Sequence, residues 1–114
     1  MSFFKSEVVR SEMAEISELQ EEVYANVFKF PTMTKDEKLS HVKMLEKLLN
    51  RQKILYTRLS LSDDPDAKEM KQRIADSATL MGLPPNVDMN IIFNNMSTLL
   101  ENMRQQIDKT GSDL

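Results

Sequence analysis

Apolar residues recur at spacings of three and four along most of the chain, a pattern that predicts helices throughout and no strand. Val9, Met13, Ile16, Val23 and Val27 form a heptad-like stripe over residues 6 to 28, with Gln20 filling the missing seam position. Ser6 is the expected N-cap of this first helix, with Glu7 behind it. Pro31 ends it, because a proline disfavours the helical region for the residue before it. Phe30-Pro31-Thr32-Met33-Thr34 is therefore read as a turn.

Thr34-Lys35-Asp36-Glu37 fits a capping box, in which the Thr34 hydroxyl accepts from the Glu37 amide and the Glu37 carboxylate accepts from the Thr34 amide. The second helix then covers residues 35 to 61. Leu45, Leu48, Leu49, Leu55, Tyr56 and Leu59 span about 120° of its surface at ~100° per residue, with Gln52 among them. Ser62-Asp63-Asp64-Pro65 marks a boundary where Asp64 caps and Pro65 takes the first helical position, at which its missing donor costs nothing. A third helix carries Met70, Ile74, Ala78 and Met81 and ends at Gly82, as a left-handed residue ends a helix. Pro84-Pro85-Asn86-Val87 reads as extended. Asp88 caps a fourth helix running to about residue 107, with Ile92, Phe93, Met96, Leu99, Leu100 and Met103 as its apolar face.

The fold class is thus all-α: an antiparallel hairpin of two long helices with two shorter ones packed along it, as one domain over residues 1 to 108 and a frayed tail over 109 to 114. A 27-residue helix is roughly 40 Å long, against a radius of gyration of about 13 Å for a compact domain of this size, so the molecule should be elongated. Thin hairpins with wide apolar stripes need further helices to cover them, which points to a homodimer or higher assembly.

Charge adds a second pattern. Residues 1 to 28 hold two bases against six acids, a net −4, whereas residues 29 to 61 hold eight bases against three acids, a net +5. On the helical wheel Lys43, Lys47, Arg51 and Arg58 lie within about 80° of one another opposite the apolar face, and Glu7, Glu15, Glu18 and Glu22 lie away from the first helix's stripe. Both charged faces are expected to point out of the hairpin and to be available to another molecule.

Catalytic chemistry finds little support. His41 is the single histidine, sits among lysines and has no partner to share a proton or a metal, so it is read as a surface residue. The absence of Cys removes thiolate zinc sites, cysteine nucleophiles and disulfides, and fits a reducing cytoplasm. Asp63, Asp64 and Asp66 lack the 12-residue ligand spacing and central glycine of a calcium hand, and capping explains them without an ion. Gly82 and Gly111 are too far apart to cradle a phosphate. The start of the chain meets acid by Glu7 without a long apolar run, which is not a secretory signal, and no stretch approaches the ~20 apolar residues of a membrane span.

What remains is binding. The expected interaction surface comprises Lys43, Lys47, Arg51, Arg58, Glu15, Glu18 and Glu22, with Phe3 and Phe4 as anchors that either meet a partner or fold back on the hairpin. The nine methionines suit an adaptable groove or an ordinary core, and Gln20 and Gln52 can set oligomer register. The leading expectation is a non-enzymatic module, without cofactor or metal, that binds itself and another protein. The alternative is a nucleic-acid-associated regulator using the basic stripe, against which stand the acidic pI and the lack of interleaved aromatic residues.

Two segments, Phe3-Phe4-Lys5-Ser6-Glu7-Val8-Val9 and Arg58-Leu59-Ser60-Leu61-Ser62-Asp63-Asp64, resemble an uncharacterised family of small helical proteins of cyanobacteria and their tailed phages. The resemblance implies a cytoplasmic protein, in the host cytoplasm if phage-encoded. It transfers no activity and no site residues.

Overall fold

The computed structural model describes residues 2 to 85 and 88 to 110. The elements are α1 (Glu7–Asn26), α2 (Lys35–Leu61), α3 (Pro65–Leu80) and α4 (Met89–Thr110), with a short 3-10 turn at Phe3–Lys5 and a longer one at Val27–Thr32. No strand occurs among the described residues. The radius of gyration is 16.5 Å and the extents are 55 × 32 × 20 Å, so the molecule is elongated and about two helices thick.

Local signals set the helix ends. Thr34 Oγ1 accepts from the Glu37 amide and Glu37 Oε1 accepts from the Thr34 amide, both at 3.2 Å, completing the capping box. Asp64 Oδ1 accepts from the Asp66 amide at 3.0 Å with Pro65 at the first helical position, and Asp88 Oδ1 accepts from the Asn90 amide at 2.9 Å. Gly82 has φ +98°; the Leu83 amide reaches back to Ala78 O and the Gly82 amide to Thr79 O, the paired bonds of a Schellman ending. A side chain at Gly82 would meet no neighbouring atom, so the backbone alone calls for glycine there.

Three details differ from expectation. Ser6 occupies the N-cap position of α1, but its side chain makes no cap bond. The first α-helix ends at Asn26, and the turn-like stretch is a 3-10 segment containing Pro31. The tighter 3-10 winding tolerates the missing proline donor, while Asn26 Nδ2 donates to Glu22 O and Thr32 Oγ1 to Lys29 O. At the C-terminus Lys109 and Thr110 are still helical, and the rest of the expected frayed tail lies outside the described residues, as do Asn86 and Val87 of the expected extended stretch.

The long helix α2 is the hub, packed against α1, α3 and α4. Glu12 meets Arg58 and Glu15 meets Arg51, so α1 runs antiparallel to α2 on one flank. Phe93 meets Tyr56, Asn94 meets Lys53 and Glu46 meets Arg104, so α4 runs antiparallel on the other. The core lies mainly in the first pairing, where Ile16, Leu19, Val23 and Leu48 cluster with Met44, Leu45 and Leu55. Nearer the C-terminal end of α2, Leu59 is buried, as are Ala67 and Ala78 of α3.

His41 is a correction. It is buried rather than on the surface, its ring 5.6 Å from Phe30, whose other contact is the Lys38 ammonium at 5.5 Å from the ring centre. The spacing explains it: 41, 45, 48, 52, 55 and 59 run in steps of four and three, so His41 continues the apolar face of α2, while Lys38 reaches over the Phe30 ring and Lys43 is exposed.

Candidate functional site

The true α1 seam is Val9, Glu12, Ile16, Leu19 and Val23, in steps of three and four. Leu19 takes the place expected of Gln20, and Met13 and Val27 sit at the exposed margin. Rotating the seam this way carries a carboxylate into it. Glu12 Oε1 accepts from Arg58 Nε at 2.7 Å, the Glu12 side chain is only 17% exposed, and its Oε2 is buried without a hydrogen-bond partner.

The next turn repeats the arrangement less deeply. Glu15 Oε1 accepts from Arg51 Nε at 3.0 Å and lies 3.9 Å from Lys47 Nζ. The acidic and basic helices therefore meet within the chain. This overturns the expectation that both charged faces point outward, and its cause is the rotated α1 seam together with long, flexible cations that bend across it.

The expected interaction surface is redistributed accordingly. Lys47, Arg51, Arg58 and Glu15 are engaged internally, whereas Lys43, Glu18 and Glu22 are exposed with no side-chain ion pair among the described residues. Phe3 and Phe4 fold back. They are half-buried, in edge contact with each other at 5.0 Å, and the Phe3 amide donates to Asp64 Oδ2. That backbone donor, followed by the Asp66 amide, holds the Asp64 carboxyl below its ordinary value of 3.8. Asp64 thus ties the N-terminal turn to the start of α3.

Folding back leaves an apolar cleft of about 310 Å³ where α1, α2, α3 and α4 converge, walled by Phe3, Phe4, Met13, Met70 and Phe93 and floored by Leu55 and Gln52. Among the described residues no group of three or more His, Asp or Glu side chains is placed to hold a metal ion, and no helix is long and apolar enough to cross a membrane.

Two outward features escaped the sequence reading. At the bend between α1 and α2, Phe28 is 92% exposed beside exposed Tyr24 and Val27, while Phe30 turns inward. Its signal was present: Phe28 and Phe30 are two residues apart, and a helical turn of three to four residues sets them on opposite faces. On α4, Ile91, Met96 and Leu99 are exposed. The wide apolar face drawn for that helix is covered along one edge only.

The class defined by these features is an elongated, all-α protein with a single hub helix and exposed apolar faces. Residues 1–107 match the family described as Domain of unknown function (DUF1825), and the chain belongs to that family. No curated protein and no solved structure matches the chain.

Proposed function

We propose that the protein is a non-enzymatic helical interaction module that binds another protein through the bend between α1 and α2. The observation that carries this reading is Phe28, a fully presented aromatic ring next to Tyr24 and Val27. Aromatic side chains supply large contact area at little conformational cost and are enriched among the residues that dominate interface energy. Exposed Glu18, Glu21 and Glu22 lie on the same end of α1, so the fitting partner offers an apolar pocket rimmed by bases. The resemblance noted above supports a setting in the cytoplasm of a cyanobacterium, the host cytoplasm if the protein is phage-encoded, in which case the partner is a host protein or a virion component.

The nucleic-acid reading is weaker, because three of the four stripe cations are held by Glu12 and Glu15 and only Lys43 lacks such a partner among the described residues. Affinity capture from a cyanobacterial lysate, with the wild type beside a Tyr24→Ala/Phe28→Ala double variant, separates the two. A specific protein retained by the wild type and by Lys43→Glu but lost with the double variant supports the bend. Salt-dependent DNA or RNA binding that disappears with Lys43→Glu, or no specific protein at all, overturns it.

A further inference from the structure

The helix α4 carries two parallel seams. Phe93, Ser97, Leu100, Arg104 and Ile107 recur in steps of four and three and form the edge that meets α2, where Phe93 contacts Tyr56 and Arg104 contacts Glu46. Met89, Ile92, Met96, Leu99 and Met103 recur in steps of three and four as well, about 80° further round at ~100° per residue. Among the described residues the centre of this second seam is left uncovered, Met96 being 46% and Leu99 60% exposed. Asn94, which bonds Lys53, marks the opposite side of α4, so the second seam turns towards the side of α2 that carries Gln52. Beside Leu59 that side is covered by Met70 and Ile74 of α3.

We propose that the open seam is covered by the same seam of a second copy, the two α4 helices packing antiparallel across a two-fold axis near Met96. Three observations favour a second copy over another occupant. First, a two-fold contact sets each face against itself, so like charges meet at the axis. Residues 89 to 100 contain no Asp, Glu, Lys or Arg in a chain that is 29% charged, whereas the outer face of α1 presents Glu18, Glu21 and Glu22. Second, depletion of charge with enrichment in methionine is the composition of an interface centre. Third, the chain exposes 8256 Å², while a compact monomer of 13.2 kDa exposes about 6400 Å². The excess is more than the ~800 Å² that each partner contributes to an interface of standard size.

This surface is distinct from the bend, so the two readings fail separately. Light scattering and sedimentation across a wide concentration range should give a concentration-dependent dimer, and Met96→Glu and Leu99→Glu should each raise its dissociation constant about a hundredfold or more. Because the chain has no Cys, Met96→Cys offers a second readout: a disulfide needs Cα atoms within about 7 Å, so it should join two copies under mild oxidation while Lys43→Cys should not. A monomer at every concentration would sink the proposal. So would a dimer insensitive to both glutamate variants, or one cross-linked through Lys43→Cys in preference to Met96→Cys. If the glutamate variants lose helix content by circular dichroism, the cross-link alone decides, and its absence counts against the seam.

Discussion

The two helices that flank α2 use it in opposite ways. Four large apolar side chains of α1 are buried, Val9, Ile16, Leu19 and Val23, and two of its carboxylates reach cations of α2. No side chain of α4 is fully buried among the described residues, and its polar contacts with α2 include an ion pair at 3.8 Å and an amide contact at 3.2 Å. Both helices carry an apolar face. The difference lies in rotation: α1 centres its stripe on α2, whereas α4 offers an edge. An amphipathic sequence therefore establishes that a helix has something to bury and leaves open whether its nearest neighbour does the burying.

The largest expected effect tests that asymmetry directly. Leu59→Ala empties a buried position on α2 and should cost about 2–5 kcal/mol in chemical denaturation, whereas Leu100→Ala on the half-buried edge of α4 should cost roughly half as much. Equal losses would break the comparison. Smaller is the effect of the charge ladder. Arg58→Ala should cost about 1 kcal/mol, and a double-mutant cycle with Glu12→Ala should recover most of it, because Glu12 is left in the seam without its cation. A cycle with no coupling would show that the ladder only decorates the α1–α2 contact.

Thr34→Ala should remove about 1 kcal/mol by deleting the capping box, measured as a drop in denaturation midpoint. The smallest and most local effect concerns Asp64. Its folded carboxyl titrates below the ordinary value, so its contribution is complete above about pH 4 and is lost as the pH falls through the lowered value. Protection of the Phe3 amide, its exchange rate set against the intrinsic rate at the same pH, should fall under acid in the wild type. In Asp64→Ala that protection should be lost at every pH, and an unchanged Phe3 amide would disconnect the N-terminal turn from α3.

Much of this architecture is legible in the chain because it depends on local chemistry. Thr34-Lys35-Asp36-Glu37, Asp64-Pro65, Asp88 and Gly82 set helix ends through bonds spanning two to five residues, and the structure contains each of them. The elongated all-α form follows from the same helices. Rotation about the helix axis is different, since it depends on which neighbour arrives. With Gln20 in the α1 seam in place of Leu19, Glu15 points outward, and Arg51 and Arg58 are left free of α1; with Leu19 there, Glu12 enters the seam and both arginines are engaged. The lysines around His41 suggest a surface position, whereas its spacing to Leu45 and Leu48 puts it on the buried face. The apolar residues of α4 are legible in the sequence, but their exposure at Met96 and Leu99, like the outward ring of Phe28, depends on which neighbour is present and so is not.

The position of α2 as hub also has a kinetic consequence. Its first partner, α1, precedes it in the chain across a single short bend, so the α1–α2 pairing can close before α3 and α4 exist as helices, with little loop entropy to overcome. The helix α4, which follows α2 and α3 in the chain, would then dock on a platform already formed. Folding kinetics of Leu48→Ala and Leu100→Ala can read this order: a rate-limiting step that contains the hairpin slows folding in the first variant, whereas the second mainly speeds unfolding.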